Sequence, residues 1–205
     1  MTSADLQKAF VVYTKEIESC LDAGVYWGLL HLVLTIPDIC SSLDTDQPVG
    51  ERYVQWCNDH FPAKSKLAGG DRYQMRCAVL HSGSTLPSST AKKIAHQTKY
   101  QSFSFVDPSS GDVNVHQEIS SDGTNITLNI AELAKETVQA IASWSDAVTA
   151  DSNRAAVVKN NLHKLVGVQE KESEAHLLTQ DGDRLVTEKG EPLVIVQRFP
   201  TTSST

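Results

Sequence analysis

The stretch Val25–Ile36, VYWGLLHLVLTI, constrains the fold more than any other feature of this chain. Its residues are apolar on nearly every side of a helix, and a helix without a polar face is stable only when other elements surround it. It is too short to cross a bilayer and it carries His31, so no transmembrane helix is expected. The run is therefore predicted to be a buried helix, from about Val25 to Leu43, with Pro37 bending or breaking it after Ile36. Elements able to cover it lie on both sides. Between Ala4 and Leu21, Leu6, Phe10, Tyr13 and Ile17 recur at spacings of three and four, which marks one face of a helix. VGERYVQWCNDHF predicts a third helix that ends at Pro62. A fourth should be capped by Asp71 and stop near His81-Ser82-Gly83-Ser84, where Gly83 can take the left-handed position.

Beyond residue 100 the period changes. QSFSFVD, DVNVHQEIS and TNITLNI alternate as strands do and are separated by the turn compositions PSSGD and SSDG. Helical periodicity returns at AELAKETVQAIASWSDAV, with Leu133, Val138, Ile141 and Trp144 on its apolar side, and again at NRAAVVKNNLHKLVGV. Asp-Gly and Lys-Gly turns in the last third predict a small antiparallel meander ahead of a frayed PTTSST tail. The fold class is thus α+β. Residues 1–150 are expected to form a bundle of four to five helices with a short antiparallel meander inserted at about 101–130, and residues 151–205 a helix, the second meander and the tail.

The chain has 205 residues and a formal net charge of −7, which argues against a broad electrostatic grip on nucleic acid and leaves only local basic patches for that purpose. MTSADLQKAF lacks the basic start and apolar stretch of a signal peptide, so a cytoplasmic protein with free thiols is expected. There is no G-x-x-x-x-G-K-[ST] loop, no G-x-G-x-x-G fingerprint and no G-x-S-x-G elbow, which removes P-loop, Rossmann and nucleophile-elbow chemistry. No cofactor is expected.

The fourth helix carries the chemistry. Met75, Ala78 and Val79 fall on one flank and Tyr73, Cys77 and Leu80 on another, with Arg72 and Arg76 in the narrow stripe between them. A guanidinium emerging at a crevice cannot shed its charge and needs an acid or an anionic ligand. Asp38, which shares a face of the second helix with His31, is the first choice as the acid beside Arg76. The two apolar flanks also predict an isologous homodimer through this helix. His81 lies five residues after Arg76, about 140° around and about 7.5 Å along an ideal helix, so within one chain the two side chains should diverge. They would meet if the helix unwinds at Ser82 and Gly83, or across a two-fold axis.

Arg76 and His81 in RCAVLH match the R-x4-H motif of HEPN domains, and the layout of an apolar second helix, a third helix and then the motif helix also resembles that family over about residues 1–90. Cys77 stands where nuclease members place Asn, Asp or His. The resemblance implies a metal-independent ribonuclease in which paired motifs form one cleft on RNA, with Arg76 and His81 catalytic and Arg72, Tyr73, Asp38 and His31 in support. It also implies a neutralising protein partner. Two other readings stay open. Cys57, His60, Cys77 and His81 have spacings that could make a Cys2His2 zinc set, although no metal is expected. Alternatively, the arginine stripe is a structural bridge in a non-catalytic interaction or regulatory module.

Overall fold

The computed structural model describes residues 2–87, 97–108, 115–165, 174–176 and 194–196. They fall into two units, Met1–Val166 and Gly167–Thr205. The first holds helices α1 (Ser3–Asp22), α2 (Tyr26–Asp44), α3 (Val49–His60) and α4 (Gly69–Ser82), strands β1 (Ser102–Val106), β2 (Glu118–Ile119) and β3 (Asn125–Asn129), and helices α5 (Ile130–Ala150) and α6 (Ser152–Asn161), followed by a 3-10 turn at Leu162–Lys164. The second holds β4 (Glu174–His176) and β5 (Val194–Val196), paired antiparallel. The turns and tail expected around them lie outside the described residues.

The α2 helix is the axis of the first unit. Its buried residues run from Leu29 to Leu43 and feed two apolar clusters. One gathers Phe10, Ile36, Leu43, Tyr53, Trp56 and Trp144, and the other gathers Leu30, Val33, Met75, Phe103, Ile126 and Leu133. Burial on all sides holds only for this central part: at the helix start, Val25 and Trp27 are exposed. The helix continues through Pro37 to Asp44, close to the expected end at Leu43, so of the two outcomes expected at the proline, bending or breaking, the break does not occur. The proline supplies no N–H to the preceding turn. The carbonyl left without that donor is Val33's; the buried Tyr53 hydroxyl donates to the next one, Leu34, at 3.1 Å and ties α3 to this turn.

The α4 helix starts earlier than its polar signal suggests. Ala68 occupies the cap position, and Asp71, expected there, sits in the first turn and accepts from the Ala68 N–H at 2.9 Å. The early start depends on Gly69, whose N–H donates to Asn58 Oδ1 at 2.7 Å and where an added Cβ would lie 2.3 Å from the Val54 carbonyl oxygen. A glycine here lets the α4 backbone approach the α3 backbone at Val54. Gly83 closes the helix in the left-handed region at φ 55°, and the Gly83 and Ser84 N–H groups return to the Val79 and Ala78 carbonyls.

The inserted sheet is mixed, not an antiparallel meander. Its order is β1-β3-β2, with β1 parallel and β2 antiparallel to β3. Alternation fixes which residues face inward, and Phe103, Ile126 and Leu128 do so completely. It does not fix strand order. The β2–β3 turn through Ser120–Gly123 is tight, whereas the connection from Asp107 to Gln117 is too long for a tight hairpin and delivers β2 to the far edge of β3. The central strand is the one that runs directly into the buried α5 helix. The first unit also extends past the boundary expected at residue 150, because α6 packs on α2 and α5 through the buried Ala155 and Val158.

Candidate functional site

Asp38 and Arg76 meet between α2 and α4, with Arg76 Nη2 at 2.7 Å from Asp38 Oδ2 and both side chains 16% exposed. The contact is single-pointed. Arg76 Nε and Asp38 Oδ1 are buried and find no other hydrogen-bond partner among the described residues, so one donor and one acceptor of the pair stay unused. Burial alone would lower the guanidinium's proton affinity, but the Asp38 carboxylate and the adjoining Cys77 more than offset it and hold Arg76 above its ordinary value. The charge is therefore permanent.

His81 corrects the expectation drawn from helix geometry. Arg76 Nη1 and His81 Nε2 lie 2.6 Å apart within one chain, on a helix intact through Ser82. The divergence expected from the axis ignores the reach of arginine, whose long stem swings its head along the groove to the exposed helix end. A guanidinium has no acceptor, so it donates here and Nε2 presents its lone pair, with the ring proton on Nδ1. Asp38, Arg76 and His81 thus form one chain of contacts from the crevice to the surface.

The remaining expected residues divide. Tyr73 is half-buried beside this chain, its ring packed edge-on against Tyr53 at 5.6 Å. Burial comes first among the causes that raise its phenol, followed by the neighbouring Cys77. His31 does not join: its Nδ1 is engaged by the Trp27 carbonyl at 2.8 Å, one turn back on its own helix. Arg72 belongs to a second cluster, although it is four residues from Arg76. It is buried at 2% exposure, stacks 3.5 Å above the Phe61 ring, and donates from Nη2 to Glu136 Oε2 and Ser65 Oγ, each at 2.9 Å.

That second cluster was not legible in the sequence. Glu136 Oε1 accepts from Gln117 at 2.6 Å and from His116 Nε2 at 3.3 Å. His116 Nδ1 in turn accepts from the Asn129 N–H at 3.2 Å, which places the ring proton on Nε2. Gln117 also accepts from the Lys66 N–H, and it sits at φ 54°, a conformation that costs a non-glycine residue strain. The strain lets one side chain bridge the α3–α4 loop to α5. Burial would raise the Glu136 carboxyl, but His116 and Arg72 prevail and hold it below its ordinary value. These partners come from segments far apart in the chain, with no spacing that links them.

The four zinc candidates are not brought together. Cys57 is in the apolar core, where burial pushes its thiol well up, and His60 faces Ser143 and Arg154 while His81 faces Arg76. Among the described residues there is no group of three or more His, Cys, Asp or Glu placed to hold a metal. All four cysteines are free thiols, and no helix among the described residues is long and apolar enough to cross a membrane. Most of α4 is covered within one chain: Met75, Ala78 and Val79 are buried, and Tyr73, Cys77 and Leu80 half-buried. No protein-family model matches the chain, and neither curated proteins nor solved structures give a match.

Proposed function

We propose that this protein is a HEPN-like, metal-independent endoribonuclease of the cytoplasm, working as a homodimer on single-stranded RNA and held in check by a protein partner. The observation that carries the reading is the contact of Arg76 Nη1 with His81 Nε2 at 2.6 Å. It sets a permanent cation for a phosphate beside a lone pair for a proton, at the exposed end of one helix. In the reaction, His81 Nε2 takes the proton of the ribose 2′-hydroxyl and the 2′-oxygen attacks phosphorus. The bond from phosphorus to the 5′-oxygen breaks, and the protonated His81 of a second copy supplies that oxygen with its proton. Arg76 turns from the imidazole to the non-bridging oxygens, where charge accumulates. The products are a 2′,3′-cyclic phosphate and a 5′-hydroxyl, with no metal required.

A second reading has its own observation. Both arginines of the stripe already face carboxylates, Arg72 at Glu136 and Arg76 at Asp38, as structural bridges of a non-catalytic interaction module would. One experiment separates the two: labelled RNA incubated with the protein in excess EDTA, with analysis of the product ends. Cyclic phosphate ends are expected, and His81→Ala should slow their formation by roughly two to four orders of magnitude. Its melting temperature should hardly change, because the side chain is exposed. Intact RNA with the wild-type chain would favour the interaction module.

A further inference from the structure

Helices α1 and α5 run antiparallel, with Leu6 and Phe10 beside Ile141 and Trp144 at one end and Ile17 and Leu21 beside Ala134 at the other. Along their seam lies a groove in two compartments of about 300 Å³ and 310 Å³, and Val138 is in the wall of both. Neither compartment holds a residue of the candidate site or of the Glu136 cluster.

The residue types explain the gap. On the α5 side Ala134, Ala142 and Ser145 line the groove, and such small side chains do not fill the space beside α1. Its floor, formed by Leu6, Phe10 and Ile141, is buried in the core. The surface a ligand would meet belongs to the walls: Val11 at 40% exposure, Val138 at 37%, exposed Ala142 and half-buried Thr14.

This surface asks for no polar partner. The first compartment has no ionisable side chain among its lining residues, and the Thr14 hydroxyl turns its hydrogen back to the Val11 and Phe10 carbonyls, at 3.2 and 3.4 Å. Charge enters only in the second compartment, where Glu18 and Lys135 have opposite signs and Lys135 is already held by Glu132 at 2.7 Å. The groove is also long. From Leu6 to Leu21 it follows α1 for about 22 Å, at about 1.5 Å per residue.

We propose that the groove binds the hydrocarbon chain of a long-chain fatty acid, laid along the helix pair with its carboxylate in water. An uncharged wall with its hydroxyl hydrogen engaged rewards buried methylenes and nothing else. With a carbon–carbon bond of about 1.5 Å and an angle of about 111°, an extended chain advances about 1.25 Å per carbon, so the groove holds about sixteen carbons. The site does not depend on the nuclease reading.

The test is a titration of the intact, methyl-labelled protein with octanoate, decanoate, laurate, myristate and palmitate, each below its aggregation threshold, followed through the Val11 and Val138 methyl resonances. The buried Val79 methyls of α4 serve as the control. Saturable shifts at Val11 and Val138 are expected, with half-saturation by myristate below about 0.1 mM. Affinity should rise about twofold to fourfold per added methylene, the range from half to complete burial of each, up to about sixteen carbons. Val138→Gln, at an exposed position, should leave the melting temperature unchanged and weaken myristate at least tenfold, read at Val11. Affinity that ignores chain length, or that survives undiminished in Val138→Gln, would overturn the proposal. So would the absence of saturable shifts, or shifts of equal size at Val79. Val11 and Val138 shifts that follow protein concentration without fatty acid would assign the groove to a second copy instead.

Discussion

Replacing Arg72 by methionine should expose how much of the first unit's stability depends on the buried cluster at Glu136. The substitution keeps an unbranched stem in the core and removes the charge. Lost with it are the charged hydrogen bond to Glu136 at 2.9 Å, the bond to Ser65 at 2.9 Å and the stacking on Phe61 at 3.5 Å. Hydrogen bonds to charged groups contribute about 1.5–3 kcal/mol each, and a desolvated cation over an aromatic ring about 2 kcal/mol. Against them stands the cost of keeping a guanidinium out of water, which methionine does not incur. The net loss should be about 3 kcal/mol, with the Glu136 carboxylate left beside neutral partners alone. Urea unfolding followed by circular dichroism at pH 7 measures it, with Glu136→Gln and the double variant completing a cycle whose coupling should be about 1.5–3 kcal/mol. The pH dependence has a definite sign. The Glu136 carboxyl is depressed in the folded state, so its contribution is full above the ordinary glutamate value of 4.5 and is lost as pH falls through the lower folded value. The gap between wild type and Arg72→Met should therefore hold down to about pH 4.5 and narrow below it. A loss below about 1 kcal/mol, or a coupling energy near zero, would refute the reasoning.

Three further outcomes are expected. Asp38→Asn should reduce stability by about 1–3 kcal/mol by stranding a half-buried guanidinium, read as a lower urea midpoint; an unchanged midpoint would show that Arg76 finds another partner at no cost. Gly69→Ala should cost about 2–3 kcal/mol, because a Cβ placed 2.3 Å from the Val54 carbonyl oxygen forces α3 and α4 apart, and a loss below about 0.5 kcal/mol would contradict that approach. Burial first, and Arg154 second, hold His60 below its ordinary value of 6.5, so its contribution is full above that value and declines as pH drops through the lower folded one. His60→Gln should accordingly flatten the fall in stability between pH 7 and pH 5, and an identical slope in variant and wild type would exclude His60 as its source.

The sequence by itself determined most of the elements and of their inward faces, although Val138, expected on the apolar side of α5, is exposed and β2 is only Glu118–Ile119. An apolar run with no polar face can be stable only inside other elements, so VYWGLLHLVLTI marks α2 as a buried helix, which it is from Leu29 onward. Gly83 declared the end of α4 because few other residues tolerate a left-handed cap. Arg76 demanded an acid, and Asp38 on the face of the second helix was the first choice to supply it. Tertiary structure decided what has no local period. The order β1-β3-β2 depends on where a long connection returns, which alternation along a strand does not encode. The bond of the Tyr53 hydroxyl to the Leu34 carbonyl, nineteen residues away in the chain, is set by how α3 lies against α2. The union of Arg72 with Glu136, Gln117 and His116, and of Asp44 with Arg154, is likewise set by packing. A charged side chain announces that it needs a partner, but the partner's identity is fixed only when distant segments are pressed together around the same core.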